Sequence, residues 1–203
     1  MEPRATAIAR PAHLRPQCPI EAELGCADGQ FAFQLAAACP DTLVVGLDIR
    51  GRLMESNQTI VDREGVPNLL FRYVNLNVDI DRVFAPNSVA RFHLLFPDPW
   101  FKTKHRKRRV VDPWMLEVLC QQLVPGGELH FASDVFEIAL EAMSEIEDPA
   151  LEHLGLRNLA GEWSFWRGNP FPAQSRREDT TIDRGQRVWR MRYSLTSYSG
   201  VGK

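Results

Sequence analysis

The sequence predicts an α/β protein with a mostly parallel central sheet and helices on both faces. Three observations lead there. Short apolar runs alternate with helical stretches from Ile20 onward, a glycine-bearing turn (Gly25 to Gly29) follows the first run, and Asp48 ends the second. Alternation of this kind feeds parallel strands through helical crossovers. Ligands of such sheets bind beyond the carboxyl ends of the strands, where the strand order reverses.

Each element has its own justification. Ile20 to Leu24 reads as a buried strand, Phe31 to Cys39 as an apolar helix, and Leu43 to Ile49 as a second buried strand. Gly51 to Arg63 follows as a helix and Leu69 to Val74 as a third strand. Arg91 to Phe96 is a fourth, stopped by Pro97-Asp98-Pro99. Asp112 to Leu123 is predicted helical, with Asp112 as N-cap and Pro113 at the first helical position. Pro125-Gly126-Gly127 is expected to turn the chain into the strand Glu128 to Ala132, after which Ser133 or Asp134 caps a helix reaching about Ile146. The stretch Leu151 to Gln174 carries no clear period, and Arg187 to Leu195 alternates as a final strand.

A chain of 203 residues fits one domain, here expected over 20–203 behind a short N-terminal arm, 1–19. No apolar run reaches the ~20 residues of a membrane span, and the first residues lack the apolar core of a signal peptide. A cytoplasmic protein without membrane attachment, monomeric or homodimeric, is expected. Cys18, Cys26, Cys39 and Cys120 form no C-x-x-C pair and the five histidines are scattered, so reduced thiols and no metal are expected. The net charge of −2 argues against a basic nucleic-acid-binding surface overall. Lys102 to Arg109 is the local exception, with six of eight residues Lys or Arg and a seventh His105.

The loop Glu23-Leu24-Gly25-Cys26-Ala27-Asp28-Gly29 lets the backbone pass close to a ligand, though a tight strand-to-helix turn needs the same glycines. Asp48, at the end of the second strand, suits the two hydroxyls of a ribose, or caps a loop. Asn75 can accept from an adenine amino group, or simply serve a turn. Glu23 and Asp28 would repel a pyrophosphate but suit a cationic amino acid and a sulfonium. The charge pattern thus favours S-adenosylmethionine over a nicotinamide dinucleotide.

Phe96-Pro97-Asp98-Pro99-Trp100 presents a carboxylate on a stiff loop beside an aromatic ring, and the basic run follows at once. Alone, the run reads as a solvated face and Trp100 as a core or lid aromatic. Together with Asp98 after a strand end, they form the set expected where an enzyme handles a base in RNA.

FPDPWFKTKHRKRR at Phe96 to Arg109 resembles the signature of the bacterial tRNA (guanine-N7)-methyltransferases, which are Rossmann-like class I methyltransferases dependent on S-adenosylmethionine. ELGCADG, VVGLDI, GGELHFASD and the Thr180 to Gly185 segment agree with that family in order and spacing. The resemblance implies cofactor contacts from Glu23, Gly25, Gly29, Asp48, Asn75 and Asp98, with Asp98 also catalytic. It implies substrate contacts from Lys102, Asp134, Thr180 and Asp183. The RNA backbone would fall to Lys104, His105, Arg106, Lys107, Arg108 and Arg109, and tRNA is the implied partner, methylated at its variable-loop guanine. Ala27, Asn75 and Asp183 depart from the family's usual glycine, aspartate and glutamate. A same-fold methyltransferase of another RNA or a small molecule, and a non-catalytic RNA-binding relative, are the alternatives.

Overall fold

The strands are Ile20–Leu24 (β1), Leu43–Asp48 (β2), Leu69–Tyr73 (β3), Val89–Leu95 (β4), Leu123–Ser133 (β5), Leu156–Asn158 (β6) and Trp189–Leu195 (β7). The helices are Gln30–Ala38 (α1), Gly51–Glu64 (α2), Leu76–Asp79 (α3), Pro113–Gln122 (α4), Phe136–Ile146 (α5) and Arg176–Asp183 (α6). The computed structural model describes residues 7–98 and 111–196. One sheet runs β3-β2-β1-β4-β5-β7-β6. Strands β1 to β5 pair in parallel, while β7 runs antiparallel to both β5 and β6. The chain winds outward from β1 to β3 and then returns to lay β4 on the other side of β1. That reversal opens a crevice at the carboxyl ends of β1 and β4.

Side-chain alternation gives the sheet two unlike faces. On one, Ala22, Leu24, Val45, Leu47, Phe92, Leu94, Leu129, Phe131, Met191 and Tyr193 form a continuous core with α4 and α5. Each Val, Leu, Phe or Met side chain among them contributes about 1.5–3 kcal/mol by leaving water. On the other face α1 and α2 pack over Val44, Leu69 and Phe71. Towards β4, β5 and β7 that face becomes charged. Glu21 Oε1 accepts from Arg91 (2.7 Å) and Glu21 Oε2 faces His93 Nε2 at 2.8 Å. His93 Nδ1 meets His130 Nδ1 at 3.1 Å, and Glu128 holds Arg91 (3.3 Å) and Arg192 (2.9 Å). Phe171 covers the group, its ring centroid 4.5 Å from that of His130 and 4.8 Å from the Arg91 guanidinium carbon.

Local signals account for most boundaries. The Asp112 side chain accepts from the Met115 N–H (2.8 Å) and Pro113 opens α4. Two expectations are corrected. Pro125-Gly126-Gly127 does not precede the strand but lies inside β5, where the pairing with β4 slips from Val89↔Leu123 to Arg91↔Glu128. The extra residues bulge out of the ladder, as a glycine-rich segment permits. Helix α5 begins after Val135 without a side-chain cap. The Ser133 hydroxyl accepts from Val135 N–H (3.1 Å), and the Asp134 carboxylate is drawn instead to α6. Residues 7–19 contain no helix or strand, but Ile8 and Leu14 pack on the core.

Candidate active site

The loop after β1 is pinned to β2: the N–H groups of Gly25 and Cys26 both donate to the Leu47 carbonyl (2.8 and 2.9 Å). Gly29 caps α1 at φ +76°, and a Cβ there would stand 2.5 Å from the Phe71 ring. Packing alone therefore requires this glycine, which lies away from the crevice wall. Ala27 also takes the left-handed conformation (φ 51°), where a side chain is strained. Its N–H donates to Asp48 Oδ2 (2.9 Å), and its carbonyl accepts from Asn57 (3.2 Å).

A cavity of about 1250 Å³ fills the crevice. Glu23, Asp28, Asp48, Asp98 and Asp134 line it, with an apolar wall that includes Ile49, Val74, Leu76 and Phe96. Asp48 accepts four hydrogen bonds: the N–H groups of Ala27 and Arg50, and two from the Arg50 side chain at 2.9 and 2.7 Å. Burial opposes its ionisation, but the Arg50 side chain and those N–H donors outweigh it and hold the carboxyl below its ordinary value. Glu23 is the reverse case. Buried, and with Asp28 and Asp48 nearby, it is pushed well above the carboxylate range. Its Oε2 has no hydrogen-bond partner among the described residues.

Asn75 caps α3, its side chain accepting from Asn77 N–H (3.2 Å), so the turn role is realised and one lone pair of that oxygen is used. Asp98 stands exposed at the rim, after Phe96 at φ 50° and Pro97. Phe96 N–H still reaches the Ala132 carbonyl (2.7 Å), so the turn out of β4 is anchored to β5. Asp134 Oδ2 receives Arg177 (3.0 Å) and the Thr181 hydroxyl (3.4 Å). Thr180 lines the crevice and Asp183, exposed at the end of α6, does not. Lys102, Lys104, His105, Arg106, Lys107, Arg108 and Arg109 lie outside the described residues, as does Trp100.

Helix α6, which no apolar periodicity predicts, roofs the crevice. Arg176 pairs with Asp28, Arg177 with Asp134, and Gln30 Nε2 donates to Asp179 (2.6 Å). Beneath it Glu178 forms a buried ion pair with Arg190 of β7. The signal was present: Ser175-Arg176-Arg177-Glu178 matches the start of a capping box, and Ser175 does accept from Glu178 N–H (3.2 Å).

A family profile described as "Putative methyltransferase" matches residues 17–191. The tRNA (guanine-N(7)-)-methyltransferase of Nostoc sp. is 34% identical over 190 residues, covering 92% of this chain and 84% of its own. That of Anaeromyxobacter dehalogenans is 37% identical over 173 residues, covering 85% and 84%. The chain belongs to the tRNA (guanine-N7)-methyltransferase family. Two solved structures share its fold. The 16S rRNA methyltransferase KamB has a TM-score of 0.62 at 18% identity, covering 88% of each chain. A SAM-dependent methyltransferase from Aquifex aeolicus has 0.56 at 14%, covering 87% of this chain and 82% of its own.

The crevice of this methyltransferase fits S-adenosylmethionine on its own chemistry. A buried, unpartnered carboxyl oxygen on Glu23 matches an amino cation, and the open space beside Gly25 admits close approach of a ligand. Asp48 matches vicinal hydroxyls, and the apolar wall matches a flat ring. Among the described residues no cluster of His, Cys, Asp or Glu could hold a metal ion, and no helix is long and apolar enough to cross a membrane.

Proposed function

We propose that this methyltransferase methylates N7 of a guanine in tRNA, the variable-loop guanine, in the cytoplasm. The reading is supported chiefly by Asp98, a carboxylate on a stiff turn at the rim of an acid-lined crevice, directly before the basic run. Glu23 holds the amino group of S-adenosylmethionine, Asp48 its ribose hydroxyls and Asn75 its adenine amino group. Gly25 and Gly29 shape the loop. When bound, the cofactor supplies an electrophilic methyl group. Asp48 already accepts four hydrogen bonds, so Arg50, half-exposed, swings away as the hydroxyls arrive.

Guanine N7 carries a free lone pair, so no residue has to remove a proton from it. The chain's task is to hold the base in line and to balance the positive charge that develops on the imidazole ring. Asp98 and Asp134 take the guanine N1–H and amino group. Arg177 and Thr181 both bind Asp134 Oδ2, which leaves Oδ1 for the base. Lys102, Thr180 and Asp183 add substrate contacts, and Lys104 to Arg109 hold phosphates. The domain 20–203, with its short arm 1–19, acts as a monomer or homodimer.

Labelled S-adenosylmethionine with bulk tRNA, followed by nucleoside analysis, tests the reading. Label in 7-methylguanosine is expected, and label in another nucleoside overturns the substrate. Cofactor binding without transfer to any RNA would mark a binding protein. Asp98→Asn is expected to lower turnover about 100-fold or more with cofactor binding kept. Near-normal turnover would remove Asp98 from catalysis.

A further inference from the structure

Behind α6, on the side away from the acidic crevice, lies a second cavity of about 710 Å³. Its charge is opposite. Arg167, Arg187 and Arg190 line it beside Phe165, Trp166 and Trp189, and no Asp or Glu lines it among the described residues. The Arg187 guanidinium carbon lies 4.0 Å from the centroid of the Trp189 ring. Neither Arg187 nor the exposed Arg167 pairs with a carboxylate among the described residues. Arg190 is only 7% exposed. It gives one nitrogen to Glu178 and another to the Val188 carbonyl (3.4 Å), while its Nε–H has no acceptor among the described residues. A buried guanidinium N–H without an acceptor is costly. The cavity thus combines aromatic rings, free cations and an unmet donor.

We propose that this cavity is a nucleotide subsite, taking one base and its phosphate from single-stranded RNA beside the target guanosine. Indole rings stack any base, and an arginine already resting on an indole is pre-oriented for a phosphate. With no acid among its described lining residues, the cavity suits an anion rather than the amine cation for which Glu23 is suited. Helix α6 is the shared wall: Arg177, Thr180 and Thr181 face the crevice, and Ile182 faces the subsite. A helix with its side chains is about 10–12 Å across, so a strand laid over α6 reaches both. The proposal rests on the reading of the substrate as RNA.

The test is anisotropy of a labelled single-stranded oligoribonucleotide on the full chain, with the crevice filled by S-adenosylhomocysteine. Trp166→Ala is expected to weaken binding roughly 5- to 150-fold, the equivalent of one stacked base. Trp166→Phe should keep most of the affinity, and Arg187→Gln should reduce the salt slope by about one. Adenosine monophosphate should compete, adenosine less well, and inorganic phosphate poorly. The subsite is overturned if Trp166→Ala and Arg187→Gln bind like the parent, or if inorganic phosphate competes as well as the nucleotide. The two readings fail separately. Methyl transfer to tRNA with unchanged binding in both variants sinks the subsite alone. Ring-dependent RNA binding without methyl transfer to any RNA sinks the functional reading alone.

Discussion

The two faces of the sheet are built from the same strands and solve different problems. The face under α4 and α5 is almost wholly apolar from β1 to β7, so its interactions are mostly non-directional, and the hydroxyl of Tyr193, which donates to Glu147 (2.8 Å), is its polar exception. The face under α1 and Phe171 carries Glu21, Arg91, His93, Glu128, His130, Arg190 and Arg192 on neighbouring strands. Paired charges there add little net stability, because desolvation offsets attraction, but an unpaired one is expensive. The apolar face therefore supplies most of the stability. The charged face makes register and neighbour obligatory, and it ends at the crevice and at α6.

The largest expected effect comes from unpairing that face. Glu178→Ala strands the buried Arg190 and should cost about 3–5 kcal/mol in urea unfolding. The double variant Glu178→Met with Arg190→Leu should recover most of it. If the double variant is as unstable as the single, the ion pair itself is the stabilising element and the contrast fails. On the apolar face Leu129→Ala should cost about 2–5 kcal/mol, by the same amount at every pH.

The faces should separate most clearly in acid. His93 and His130 are held below the ordinary histidine value of 6.5, chiefly by burial. The unfolded chain therefore gains protons first as pH falls below 6.5, and stability declines there, by up to about 1.4 kcal/mol per pH unit for each imidazole that stays neutral. Burial opposes ionisation of Glu21, but His93 and Arg91 outweigh it and hold its pKa below the ordinary 4.5. Its contribution is present above 4.5 and is lost as pH falls through the lowered value. Replacing both histidines by Gln should flatten the decline between 6.5 and 4.5 in pH-dependent melting. An unchanged profile would place the acid sensitivity elsewhere. The smallest effect is expected at the rim: Ala27→Gly relieves a left-handed alanine and should gain about 0.5–1 kcal/mol in the same assay.

The sequence showed the strands of both faces for one reason and hid their partners for another. Strand β2 is fully buried and reads as an apolar run up to its terminal Asp48, while β1, equally buried, alternates Ile20, Ala22 and Leu24 with Glu21 and Glu23. Arg91 to Phe96, Glu128 to Ala132 and Arg187 to Leu195 alternate, which marks a strand but not what each charge meets across it. The crevice acids were legible because strand ends in this architecture are where ligands bind. Helix α6 announced only its start, through the Ser175 to Glu178 capping signal, since only Glu178 and Thr181 of RREDTTID are buried and no apolar stripe carries the helix further. Its arginines on Asp28 and Asp134 join segments that no local pattern connects. The bulge at Pro125-Gly126-Gly127 was hidden because a glycine pair serves a turn and a bulge equally well.

The anchoring of α6 also sets an order of events in time. Arg176 meets Asp28 across 148 residues and Gln30 meets Asp179 across 149, and the pair beneath the helix waits for β7, which comes later still. Strands β1 to β5 can assemble while that part of the chain is still being synthesised, leaving the crevice unroofed. Contacts this distant in sequence are slow to close. A newly made chain thus carries the loop after β1 before it has a roof, and competence for methyl transfer should arrive last, with the docking of one short polar helix.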